Sequence, residues 1–120
     1  NSILLVKEED IGIFLKKYPK TMQLRWNKTT QVNSDYEVLN FGESKGSTLI
    51  TTLVYPTKDM YKWLSDSNSS LSSEARSKFY VGITRATDFV AIATKIEYLE
   101  KLSSKYIVWV CNDGNNKTNE

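Results

Sequence analysis

Short unbroken apolar runs alternate along this chain with segments of helical period, and that alternation restricts the fold more than any other feature. Ile3 to Val6, Leu49 to Tyr55 and Phe89 to Ala93 carry apolar, aromatic or β-branched side chains at successive positions. Strands buried on both faces read this way. After the first run, Ile11, Phe14, Leu15 and Tyr18 recur at helical spacing behind Glu8, Glu9 and Asp10, with Lys16, Lys17 and Pro19 at the far end. Acids at the start, bases near the end and a following proline bound a helix. Met22 to Trp26 then reads as a second strand, and strand–helix–strand opens a βαβ unit.

The rest of the chain keeps the pattern. Tyr36 to Phe41 reads as a third strand leading into a loop, Gly42 to Thr48, and Leu49 to Tyr55 is a fourth strand ended by Pro56. Thr57 is placed to cap a short helix through Met60, Trp63 and Leu64, and Ser65 to Ser73 is a serine-rich linker. A helix starts near Ser72 or Ser73 with Ala75, Phe79, Ile83 and Ala86 on one face. Arg85 falls on its flank. Phe89 to Thr94 is a fifth strand, Ile96, Leu99 and Leu102 mark a helix, and Tyr106 to Cys111 is a sixth strand. The fold class expected is α/β, a mostly parallel β-sheet flanked by helices. Residues 1–111 are read as one domain, and residues 112–120, which carry no apolar side chain, as a disordered tail. Because the chain opens on Asn1 and runs directly into Ile3, it is expected to be cut from a longer protein.

Composition narrows the chemistry. The 120 residues contain no histidine, which excludes histidine acid–base catalysis and histidine metal ligands within the chain. The one cysteine, Cys111, lies in an apolar run and reads as a small buried hydrophobe in a reducing compartment; a cytoplasmic location is expected. A formal net charge of +2 makes no case for nucleic acid by itself. No apolar stretch approaches membrane-spanning length, and no metal site is expected.

Three places remain as chemical candidates. Gly42-Glu43-Ser44-Lys45-Gly46-Ser47-Thr48 follows a strand, where open α/β sheets place ligands. Its glycines allow close backbone approach and Ser44, Lys45 and Thr48 supply donors, although a solvated turn carries the same residues. Tyr80-Val81-Gly82-Ile83-Thr84-Arg85-Ala86 ends a helix on an arginine. Such a residue serves phosphoryl transfer or pairs with a carboxylate, Asp88 being three positions on. Arg25, Trp26 and Lys28 form a basic-aromatic cluster suited to single-stranded nucleic acid, or Trp26 packs at a strand end.

Taken together, the two loops resemble the second RecA-like domain of superfamily 1 DNA helicases of the UvrD/Rep kind. Asn40 to Tyr55 is similar to helicase motif V, with its Ser-Lys-Gly loop and following strand. Ser73 to Ala86 is similar to motif VI, and Tyr80 to Ala86 matches that string closely. The resemblance covers roughly residues 36–95. Asn40 and Gly42 stand where relatives often carry a Thr-x-His pair, Leu49 and Ile50 where they carry an aromatic residue and an aspartate. Between Trp26 and Tyr36 there is no room for the family's inserted subdomain.

The resemblance implies that Arg85 serves catalysis by reaching the γ-phosphate of ATP. It also implies that Lys45, Gly46, Thr48, Tyr80 and Thr84 lie on the nucleotide side and Ser44 toward DNA; Arg25 and Trp26 are nucleic-acid candidates from their own basic-aromatic cluster. The cofactors implied are ATP and Mg2+, held mainly by a first RecA-like domain that carries the phosphate loop; no Gly-Lys-Thr loop or Asp-Glu strand end occurs in these residues. The implied partners are that N-terminal domain and single-stranded or duplex DNA, with no membrane. The chain alone is then expected to be inactive. A catalytically retired RecA-like module that binds protein or nucleic acid is the alternative.

Overall fold

In a computed structural model describing residues 2–44, 49–66 and 68–111, the alternation becomes a sheet with helices on both faces. In chain order the elements are β1 (Ser2–Lys7), α1 (Ile11–Lys17), β2 (Met22–Arg25), β3 (Val38–Asn40), β4 (Leu49–Val54), α2 (Lys58–Ser65), α3 (Ser73–Thr84), β5 (Ala86–Thr94), α4 (Ile96–Ser103) and β6 (Ile107–Val108). The strands lie in the order β3-β2-β4-β5-β1-β6, and every pairing is parallel. The α/β expectation of a parallel sheet flanked by helices is met, and the arrangement is consistent with a RecA-like fold.

Side-chain alternation along the central strands builds two cores. Leu5, Val54, Val90 and Ile92 point to the face covered by α2, α3 and α4. Their neighbours Val6, Leu53, Ala91 and Ala93 point to the face covered by α1 through Phe14 and Leu15, with Trp109 beside them. Successive residues of a strand face opposite ways, so an unbroken apolar run is what a doubly covered strand requires. Phe14 sits at the centre of an aromatic group, edge-on to Trp109 at 5.3 Å and to Phe89 at 6.2 Å.

Helix ends follow the sequence signals in part. Thr57 caps α2, its hydroxyl accepting the Met60 N–H at 3.2 Å. Ser72 caps α3 by accepting the Ala75 N–H at 3.1 Å. The serine-rich linker is anchored, since Leu71 is buried in the core beside α2 and α3. Glu8 to Asp10 form a 3-10 turn ahead of α1. The loop after β3 begins as a 3-10 turn, Phe41–Ser44. The sixth strand is shorter than its apolar run, because only Leu4 and Leu5 of β1 pair with it. Ile96, which helped to mark α4 in the sequence, is 79% exposed; it is the first residue of the helix, and helical side chains lean toward the N-terminus, where no earlier turn covers it. The expected tail, residues 112–120, lies outside the described residues. No helix among those described is long and apolar enough to cross a membrane.

Replacing Phe14 by alanine should cost about 3–5 kcal/mol of unfolding free energy, from lost transfer and the cavity left behind. Ile96→Ala should change it by no more than about 0.5 kcal/mol. Urea denaturation of the two variants measures the contrast, and equal losses would contradict the two-core description.

Candidate functional site

Parallel neighbours must be joined by a crossover that returns the chain to the amino edge of the sheet. Between β4 and β5 that return is made by α3. It starts on Ser72, beside Trp26 and Thr57 near the carboxyl ends of the strands, and ends where β5 begins. Arg85 is its C-terminal cap residue, with helical backbone angles of φ −80° and ψ −21°. The next residue, Ala86, already pairs with Leu49 of β4. The Leu49 N–H donates to the Arg85 carbonyl at 3.2 Å. Arg85 is thereby fixed at the amino edge of the sheet, between the starts of two central strands.

Its side chain is half-buried, and its Nε is fully shielded from solvent with no hydrogen-bond partner among the described residues. A desolvated guanidinium donor without a partner is costly. No ion pair joins Arg85 to Asp88, which is exposed. Tyr80, a little over one helical turn back, is 65% exposed. The Thr84 hydroxyl donates back into the helix, to the Tyr80 carbonyl at 2.8 Å.

The Phe41–Ser44 turn leaves the carboxyl end of β3, where Asn40 pairs with Arg25, and packs under α3. Phe41 is fully buried under α3, edge-on to Phe79 at 6.3 Å. Its 3-10 turn is closed by Glu43, whose carboxylate accepts the Asn40 N–H at 2.8 Å. A small cavity of about 210 Å3 lies between turn and helix, lined by Phe41, Gly42, Glu74, Ser77, Lys78 and Val81. Lys45, Gly46 and Thr48 lie outside the described residues, as does the side chain of Ser44.

Arg25 and Trp26 stand at the carboxyl end of β2, the opposite edge from Arg85. The Arg25 guanidinium is engaged internally, donating to Asn40 Oδ1 at 3.3 Å and to the Thr30 carbonyl at 3.4 Å. Trp26 packs against the core, and the Lys78 ammonium lies 4.7 Å from its ring centre. Trp26 is thus packed at the strand end, and neither residue lies beside Arg85, which stands at the opposite edge.

Sequence reasoning missed a cavity of about 850 Å3 at the carboxyl ends of β2 and β4. There the chain leaves β2 toward β3 and leaves β4 toward β5, in opposite directions across the sheet, so a crevice opens. Trp26, Asn27, Thr29, Asn33, Thr57 and Lys58 are among the residues lining it. One wall is held by Gln23, fully buried in β2. Its Nε2 donates to the Asn33 carbonyl at 2.8 Å, and its Oε1 accepts from the Asn33 N–H at 3.0 Å and from the Tyr55 hydroxyl. Burial pushes the Tyr55 phenol up to about 12, against the opposing pull of a hydrogen bond with the Asn33 backbone.

Comparison with known proteins adds no relative: no protein-family model matches the chain, and no curated protein does.

Because Tyr55 keeps its proton to higher pH when folded, its contribution to stability is fully present below the ordinary tyrosine value of 10.0 and is lost as pH rises through about 12. Unfolding free energy should fall across that window in denaturation measured at stepped pH, and Tyr55→Phe should make the fall shallower. An unchanged slope in the variant would contradict the assignment.

Proposed function

We propose that this chain is the second RecA-like domain of a UvrD/Rep-like ATP-dependent DNA helicase, and that Arg85 completes an ATPase site whose phosphate loop lies on a first RecA-like domain. The observation that carries the reading is the meeting of the two loops that resemble motifs V and VI. The Phe41–Ser44 turn packs beneath α3, and the first residue of β4 is hydrogen-bonded to Arg85 itself. The turn leaves the carboxyl end of β3 and packs along α3, whose last residues carry Arg85 to the start of β4 at the amino edge.

In this reading ATP and Mg2+, gripped by the first domain, supply the scissile γ-phosphoryl group. The contribution of this chain is a planar, permanently charged fork held by backbone on two sides, ready for charge that spreads over the transferred phosphoryl oxygens. Tyr80 and Thr84 flank it on the same helix, while Lys45, Gly46 and Thr48 lie in the adjoining loop and Ser44 toward the DNA track. Ile50, 56% exposed, and Tyr80 offer apolar surface that a neighbouring domain would cover. Closing and opening of the cleft between the domains would step the protein along single-stranded DNA in the cytoplasm.

A second reading, a retired RecA-like module that binds protein or nucleic acid, is favoured by one observation. A cavity of about 850 Å3 lies at the carboxyl edge, away from Arg85.

A protein carrying both domains should hydrolyse ATP with DNA stimulation, and Arg85→Ala should lower its turnover by roughly a thousandfold or more. Arg85→Lys should recover little, because a point charge does not replace a bidentate fork. The 120-residue chain alone should show no turnover above background. Intact stimulated turnover in Arg85→Ala would sink the role of the arginine. A coding sequence with no phosphate loop upstream of Asn1 would favour the binding module.

A further inference from the structure

Gly82 lies in the last turn of α3 on its buried face. A Cβ added there would stand 2.9 Å from both Cδ1 and Cε1 of Phe41, closer than real contacts of that kind come, and 3.5 Å from Leu24 Cδ1. Phe41 has no easy retreat, because it is fully buried, with Phe79 edge-on to it. Glycine inside a helix is a standing cost relative to alanine. Here that cost permits an aromatic ring to rest directly on helix backbone. The residue so seated is the first of the Phe41–Ser44 turn, and the helix so approached ends three positions later in Arg85.

We infer that Gly82 is a positioning residue, whose bare backbone seats the Phe41 ring and so locks the Phe41–Ser44 turn to the arginine-bearing end of α3. A second tie reinforces the lock from the far side of the loop, where the Leu49 N–H donates to the Arg85 carbonyl at 3.2 Å. One contact comes from before the loop and one from after it, and both land within the last turn of the same helix. A displacement of the turn is therefore transmitted to the guanidinium, and the reverse holds. The geometric part stands on these contacts alone; its consequence for ATP turnover rests on the function proposed above.

The test uses Gly82→Ala, Phe41→Leu and the double variant in the 120-residue chain, read by amide and arginine Nε–H resonances and by thermal unfolding. Gly82→Ala is expected to shift the Gly42, Glu43 and Leu49 amides together with the Arg85 Nε–H. Phe41→Leu, which removes ring atoms that the new methyl group meets, is expected to bring the double variant back toward the wild-type positions of all four. Shifts confined to the immediate neighbours of residue 82, or a double variant no nearer to wild type than Gly82→Ala, would overturn the inference. Should Gly82→Ala fail to fold, Phe41→Leu alone must still move the Leu49 and Arg85 signals, and unmoved signals would overturn it equally. In a protein carrying both domains, Gly82→Ala should lower DNA-stimulated turnover at least tenfold with the KM for ATP within about threefold, restored by Phe41→Leu. Coupled resonances with unaffected turnover would leave Gly82 as a positioning residue and count against the ATPase role of Arg85.

Discussion

The parallel pairing of β4 with β5 is the constraint on which the candidate site depends. Two parallel neighbours cannot be joined by a hairpin, so the chain must cross one face of the sheet and come back to the amino edge before the second strand begins. The end of α3 is then bound to arrive beside the start of β4, whatever residues it carries. Its last cap residue is Arg85, and its carbonyl takes the first amide of β4. A long, charged side chain is thus delivered to a defined point without any side-chain contact having to hold the backbone there. This is why a site residue can tolerate a partly desolvated, unsatisfied Nε: the strain is borne by two strands whose side chains lie in the two cores.

The same constraint separates the molecule into two working edges. At the amino edge lie Arg85 and Leu49, where β5 and β4 begin. At the carboxyl edge lie the 850 Å3 cavity, the turn that begins at Phe41 and the loop braced by Gln23. A fully buried glutamine would be expensive if left unpaired, and its amide here bonds to the backbone of the 33–37 segment on one side and to Tyr55 on the other. That network fixes a wall containing no helix or strand, so the crevice is shaped before anything enters it.

Much of the fold is legible in the sequence because its signals are local. Doubly covered strands need apolar residues at successive positions, and β1, β4 and β5 have them; Thr57 and Ser72 act as caps because a short hydroxyl reaches the third amide beyond it. The remainder depends on contacts distant in sequence. Whether Arg25 faced a ligand or the protein turned on Asn40 and Thr30, which approach it only once β2 and β3 pair. The length of β6 turned on how much of β1 was free to bond it. Gly82 did leave a local trace, a glycine inside a helical pattern, but its partner Phe41 lies about forty residues upstream and no periodicity connects them.

Arg85 was legible for a different reason. Its neighbours in sequence, Tyr80 to Ala86, fix both the end of a helix and the start of a strand, so the residue's place follows from local rules, and only its surroundings require the fold. Those surroundings combine shielding of Nε with a backbone that cannot drift away from β4. In water a guanidinium contributes little to holding an anion, because solvent screens it and competes for its donors. In the proposed ATPase site, a guanidinium on a desolvated stem, with the reorganisation already done during folding, would stabilise developing negative charge far more strongly. The site's chemistry is therefore a product of topology first and residue type second: another cation at the same position would carry the charge, but its reach and planarity would not be matched to the edge that the β4–α3–β5 crossover defines.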